Sequence, residues 1–239
     1  GESPAMKLAI TGASGLVGQA LMQALQSRGD IVHPLKRGSD WAWGDPNDWA
    51  RPESLAGMDA LIHLAGENVG QRWTAASKQR IFDSRKRGTF ILAKTLAQLP
   101  EKDRPPLFLC ASATGYYGHR GDELLTETSR PGEGFLADVC QAWEQAADPA
   151  RQAGIRVVHA RLGMVFTSQG GALPRMLPAF KAGLGGVVGS GDQYWSWITL
   201  HDTIRALLHC IDHPSIQGPV NIVMPEPPTN RQFTQALAK

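Results

Sequence analysis

Three glycines set three apart, Gly12, Gly15 and Gly18, stand in the string Thr11-Gly12-Ala13-Ser14-Gly15-Leu16-Val17-Gly18. Glycines at this spacing let a chain turn tightly, bring bare backbone up to an anionic group, and pack a helix closely on a strand. The apolar run Lys7 to Thr11 precedes the string, and Leu16, Val17, Ala20, Leu21, Ala24 and Leu25 recur with helical period after it, up to Gly29. The segment reads as strand, glycine turn and helix, and the first N–H groups and positive dipole end of that helix suit a pyrophosphate. After a second strand, Ile31 to Leu35, come Lys36 and Arg37, where an NAD enzyme carries an acid for the ribose 2′-hydroxyl. Two cations there suit the 2′-phosphate of NADP(H), which an acid would repel; the bland alternative is a solvated basic pair at a strand end. The expected cofactor is NADP(H), with NAD(H) second.

These residues need a scaffold, and the rest of the chain spells one out. Ala60 to Ala65 is a third apolar run, followed by a long helical pattern from about Thr74 to Leu99 and a strand at Leu107 to Ser112. From Phe135, the positions Leu136, Val139, Cys140, Trp143, Ala146 and Ala147 recur at helical spacing, and Arg156 to Leu162 returns to a strand. Such alternation predicts an α/β fold, a Rossmann-type doubly wound parallel sheet. After Thr167 the texture becomes rich in Gly and Pro, at Gly170-Gly171 and from Gly183 to Gly191. The expected division is a dinucleotide-binding domain over residues 6–166 and a smaller substrate lobe over residues 167–239, interleaved with the Rossmann core. Gly1 to Ala5 read as an added leader before Met6 and are set aside.

Composition narrows the partners. The 239 residues carry 24 Lys+Arg against 22 Asp+Glu, a net charge of +2, and the basic residues are scattered rather than gathered into a track for nucleic acid. Cys110, Cys140 and Cys210 are far apart and flanked by apolar or helical sequence, which predicts buried thiols in a reducing compartment and no metal site. No run of 18 apolar residues exists for a membrane span. A small-molecule substrate and a cytoplasmic location are expected, while nothing bears on oligomeric state.

Longer strings then match a family in order: TGASGLVG, LIHLAGENV with Arg72-Trp73, DSRKRGT, SATGYYG, RLGMVF, GGALPRMLPAFKAGLGGVVGSGDQYWSWI and PVNIVMPEPPTN. In these the chain resembles the extended short-chain dehydrogenase/reductase superfamily, in particular its atypical branch of epimerase family proteins, similar to NAD-dependent epimerases and dehydratases. Members commonly continue further, so part of the substrate lobe is expected to be missing. The resemblance implies that Gly12, Gly15, Leu16, Val17 and Gly18 border the pyrophosphate and that Lys36 and Arg37 meet the 2′-phosphate. It also puts Leu64, Ala65 and Gly66 along the ribose side, Arg85 where the superfamily often has Asn, and Met164 near the nicotinamide. By residue type alone, Leu64, Ala65 and Met164 would be core.

One departure bears on mechanism. Dehydrogenases and epimerases of the superfamily use a Ser or Thr and then Tyr-x-x-x-Lys on the next helix, the Lys lowering the Tyr pKa for proton transfer. Here no lysine lies between Lys102 and Lys181. Aligned by Glu144, the helix offers Leu136 and Cys140 at the Tyr and Lys places, and Ala113 falls at the Ser place between Ser112 and Thr114. The catalytic candidates are therefore Tyr116 and Ser112, with Tyr117, Glu67 and His201-Asp202 as further polar groups. His201-Asp202 also reads as an ordinary helix start. Asn68, Trp73, Trp195 and Trp197 are candidates for a substrate pocket, although Trp195 and Trp197 at spacing two equally suit core packing on one strand face. Three functions stay open: an NADP(H)-dependent oxidoreductase or epimerase-like enzyme, a non-catalytic NADP(H)-binding redox sensor, and a sugar-nucleotide binder.

Overall fold

The apolar runs become neighbouring strands because both of their faces must be covered. In the computed structural model, which describes residues 5–35, 51–65, 74–118, 125–166 and 197–224, the strands are β1 (Lys7–Thr11), β2 (Ile31–Leu35), β3 (Ala60–His63), β4 (Leu107–Ala113), β5 (Arg156–Leu162), β6 (Met164–Phe166), β7 (Trp197–Thr199) and β8 (Gly218–Ile222). Six of them form one sheet in the order β2-β1-β3-β4-β5-β8, every pair parallel. The helices are α1 (Leu16–Ser27), α2 (Pro52–Leu55), α3 (Ala75–Gln98), α4 (Phe135–Gln145), α5 (Asp148–Gln152) and α6 (Leu200–Asp212).

Strand alternation divides the core into two layers. Leu8, Ile10, Ile62, Leu109 and Val158 point to one side and pack with Leu21 and Leu25 of α1 and Leu207 and Ile211 of α6. Their neighbours Ala9, Leu61, Phe108 and Val157 point to the other, against Leu92 and Leu96 of α3 and Ala150 of α5. Burying each Leu or Ile in these layers stabilises the fold by roughly 1.5–3 kcal/mol. The long α3 starts at Thr74, whose side chain accepts from Ser77 N while the Ser77 side chain accepts from Thr74 N, a reciprocal cap that fixes the helix start.

The order of strands creates the crevice. From β1 the chain moves outward to β2 and then returns past β1 to β3, so the winding reverses between β1 and β3. At such a reversal the connections leave in opposite directions and expose the carboxyl ends of the two strands. The third strand stops at His63 rather than running on to Ala65: Leu64 N still reaches Thr11 O at 3.3 Å, but the N–H of Ala65 turns to the Thr11 side chain. Residues 200–222 fall in the segment assigned to the smaller lobe, yet β8 pairs with β5, Ala160 opposite Val220, and completes the main sheet. The separate pair β6–β7 is set beside it.

Candidate functional site

Two of the three motif glycines are explained by the protein's own packing. Gly12 has φ +74°, and a Cβ there would lie 2.8 Å from Ala65 N and from the Leu64 carbonyl carbon. A Cβ on Gly18 would overlap the Gly12 carbonyl oxygen. Gly15 is different: a Cβ there meets only Gly12 O at an ordinary 3.5 Å, the residue is exposed, and its φ of −76° suits any amino acid. It is the N-cap of α1, with no side-chain cap and no acidic residue in the first turn. The helix thus presents its first N–H groups, which have no intrahelical partner, to the crevice without a competing carboxylate. Leu16 and Val17 are half-buried on this turn, and Leu64 and Ala65 lie half-buried against Gly12. A dinucleotide pyrophosphate fits this arrangement, because the bare Gly15 surface is where backbone can approach phosphate oxygens.

Further along the carboxyl edge, Met164 opens β6 and stands opposite Trp197 of β7. The structure thus brings together the residue expected near the nicotinamide and one expected in the substrate pocket. Arg85, from α3, lays its guanidinium over the Trp143 ring at 4.9 Å. His201 and Asp202 form the first turn of α6, where Thr199 Oγ1 accepts from Asp202 N at 3.1 Å, so their reading as a helix start is the one the geometry favours. Lys36, Arg37, Gly66, Glu67, Asn68, Trp73 and Trp195 lie outside the described residues.

The place of the absent relay is filled by packing and by a buried ion pair. Gly115, in the short 3₁₀ turn Thr114–Tyr117 after β4, is so close to α4 that a Cβ on it would be 3.3 Å from Leu136 Cβ and 3.9 Å from Cys140 Sγ. Burial pushes the Cys140 thiol up to about 11, with the Glu144 carboxylate adding to the effect. Beside it, Arg161 of β5 is 3% exposed and forks onto Glu144, Nε to Oε2 at 3.0 Å and Nη2 to Oε1 at 2.9 Å. Ser112 Oγ donates to the same carboxylate at 2.7 Å. Arg161 Nη1 donates to Tyr117 Oη at 3.0 Å, and that phenol donates to Asn221 Oδ1 on β8. Desolvation opposes the Arg161 charge, but the bonds to Glu144 and Tyr117 outweigh it and hold the guanidinium pKa above its ordinary value.

Of the two catalytic candidates, Ser112 is buried and gives its proton to Glu144, which makes it a member of this network. Tyr116 is half-buried, with the Arg161 guanidinium 3.6 Å from its ring centroid and the Tyr117 ring edge-on at 5.4 Å. The sequence reading missed Arg161 and Asn221 and used Glu144 only as an alignment mark. A signal was present, since an arginine inside the apolar strand Arg156–Leu162 demands a buried partner. Among the described residues, no group of three or more His, Cys, Asp or Glu gathers to hold a metal, and no helix is long and apolar enough to cross a membrane.

A parallel α/β sheet with a glycine turn at its point of reversal defines a Rossmann-like fold. A model of the NAD dependent epimerase/dehydratase family matches residues 8–223, and the chain belongs to that family. It is 41% identical over 238 residues to an epimerase family protein of Mycobacterium leprae, covering 97% of this chain and 76% of that one. The crystal structure of a nucleoside-diphosphate sugar epimerase from Corynebacterium glutamicum superposes with TM-score 0.81 at 38% identity, over 98% of this chain and 50% of the other, so the chain spans half of that protein's length. A human epimerase family protein crystallised with NADPH gives TM-score 0.76 at 30% identity, over 98% of this chain and 81% of the other. The resemblance read from the sequence strings is borne out.

Proposed function

We propose that this protein binds NADP(H) at the carboxyl ends of β1 and β3 and acts as an oxidoreductase or epimerase-like enzyme on a small carbonyl, alcohol or sugar-nucleotide substrate. The observation that carries the reading is Gly15, a glycine that the fold itself does not require, on an uncapped helix end facing the crevice. Gly12, Gly15, Leu16, Val17 and Gly18 would hold the pyrophosphate, Leu64 and Ala65 would lie along the ribose side, and Met164 would lie toward the nicotinamide. Lys36 and Arg37 would meet the 2′-phosphate, which sets NADP(H) above NAD(H). The human relative's bound NADPH supports that order. When bound, such a dinucleotide supplies hydride transfer.

The chain's own part in proton transfer falls to Tyr116, the first phenol after β4, whose hydroxyl makes no hydrogen bond among the described residues. Arg161 lies over its ring with its charge shared with Glu144, and α4 supplies no lysine to partner the phenol. Slow turnover follows. A second reading, a redox sensor that holds NADP(H) without turnover, is favoured by the packing of Gly115 onto Leu136 and Cys140, which leaves no relay on α4.

The test is a titration of NADPH and NADH into the wild type and Arg37→Asp. Tighter NADPH binding by about tenfold or more, lost in Arg37→Asp, is expected, since a charge-assisted contact is worth roughly 1.5–3 kcal/mol. Equal wild-type affinities would sink the NADP(H) preference. A screen of carbonyls, alcohols and sugar nucleotides by nicotinamide absorbance, with Tyr116→Phe beside the wild type, then separates enzyme from sensor.

A further inference from the structure

Three residues outside every motif role assigned above, Thr11 at the end of β1, His63 at the end of β3 and Thr89 on α3, are fully buried and joined in a line. Thr11 Oγ1 lies 2.6 Å from His63 Nδ1, and His63 Nε2 lies 3.0 Å from Thr89 Oγ1. Counting lone pairs gives each bond a direction. Thr11 Oγ1 accepts from Leu64 N at 3.1 Å and from Ala65 N at 3.2 Å, which fills both of its lone pairs. Its one proton is therefore the one given to Nδ1, and Nε2–H donates to Thr89. This requires a neutral imidazole, and burial, aided by the field of Arg85, holds the His63 pKa down at about 3.

Leu64 and Ala65 are the backbone packed directly against Gly12 beside the crevice, where even a Cβ would be too close. Leu64 N–H is shared between the ladder acceptor Thr11 O at 3.3 Å and Thr11 Oγ1, whereas Ala65 N–H turns to Thr11 Oγ1 and would lose that acceptor in a part-buried place without it. Thr89 carries the tie on to α3. One helical turn earlier, about 6 Å along the axis, that helix bears Arg85, so the same line of bonds fixes the turn after β3 relative to the helix wall beside it.

We propose that Thr11, His63 and Thr89 are positioning residues for the dinucleotide, their hydrogen-bond chain pinning the Leu64–Ala65 turn against Gly12 and setting the width of the crevice that pyrophosphate and ribose enter. This rests on the dinucleotide-binding reading above. Apolar residues of the same shape would fill these buried places equally well for packing alone, since an unpaired polar group there costs stability and a paired one adds little. What the polar chain adds is a fixed position for the turn.

The experiment titrates NADPH into the wild type, Thr11→Ser, Thr11→Val and Thr89→Val, following nucleotide fluorescence, with the unfolding of each apo protein measured alongside. Thr11→Val keeps the shape and removes the acceptor, and is expected to raise Kd about tenfold or more, whereas Thr11→Ser keeps Oγ1 and stays within about twofold of the wild type. Thr89→Val removes only the far anchor, with a rise of about threefold expected. A Thr11→Val protein that is less stable but binds NADPH with the wild-type Kd would mark the chain as structural and overturn the proposal. Should Thr11→Val not fold, an unchanged Kd in Thr89→Val overturns it instead. A wild type that binds neither NADPH nor NADH removes the dinucleotide reading and this one with it, whereas wild-type binding unaltered by the substitutions removes only this one.

Discussion

The crevice between β1 and β3 and the junction of β4, α4 and β5 both lie at the carboxyl edge of the same sheet, yet they use polarity in opposite ways. In the first, a helix end is left uncapped and a glycine is left bare, so the hydrogen-bonding capacity points outward. In the second, an arginine, a glutamate, a serine and a tyrosine satisfy one another inside the protein. The lesson is that a polar cluster near the strand ends does not by itself mark chemistry. Unspent capacity facing a crevice is the better mark, and by that measure the first region is the one proposed to bind, while the second is tied up within the structure.

This contrast makes the second region the more costly to damage. Glu144→Leu leaves Arg161 buried without its carboxylate and is expected to cost about 3–5 kcal/mol in urea unfolding, while NADPH affinity of the folded variant is unchanged. The double variant Glu144→Leu with Arg161→Met should recover part of that loss, because both charges then leave together. A double variant no more stable than Glu144→Leu alone would break the view that the pair is self-contained.

Acid sharpens the comparison from the other side. His63 has a folded pKa of about 3 against an ordinary 6.5, so the unfolded chain takes up a proton that the folded one refuses. Its contribution is complete above pH 6.5 and is lost as the pH falls toward 3, amounting to about 3 kcal/mol by pH 4. In a pH series of unfolding measurements, His63→Gln should lose stability less steeply than the wild type across that window. Parallel curves for the two proteins would show that His63 is not the group being charged.

The smallest of these effects is the most local. Gly15→Val is expected to weaken NADPH about tenfold, roughly 1.4 kcal/mol, because a branched side chain stands where phosphate approaches. The unfolding free energy should change by less than about 1 kcal/mol, the span of a poorer N-cap. Isothermal titration beside thermal unfolding measures both. Wild-type affinity in a folded Gly15→Val protein would move the dinucleotide elsewhere.

The same contrast explains what could be read in advance. The strand–turn–helix around Gly12, the strand Arg156–Leu162 and the helix from Thr74 to Leu99 are written in local patterns, and the structure reproduces them within a residue or two. The glycine motif is likewise local, since its geometry is set within one turn. The Arg161 network was hidden because its members come from β4, β5, β8, α4 and the turn after β4, brought side by side only by the register of parallel strands. Thr11, His63 and Thr89 were hidden for a related reason: hydroxyls and a histidine inside apolar runs look like ordinary core substitutions until the strand ends are aligned.

One consequence of the strand order concerns how the chain is made rather than how it binds. Among the described strands the last place in the sheet belongs to β8, which pairs with β5 only after the chain has travelled from Leu162 to Gly218. During synthesis β5 therefore waits with an unpaired edge, and Tyr117 waits for the Asn221 carbonyl that accepts its proton. Contacts so distant along the chain form late and slow the approach to the native state. A nascent chain released before Ile222 would expose both a strand edge and the unfinished side of a buried charge cluster, which makes this junction the natural point of failure for quality control to detect.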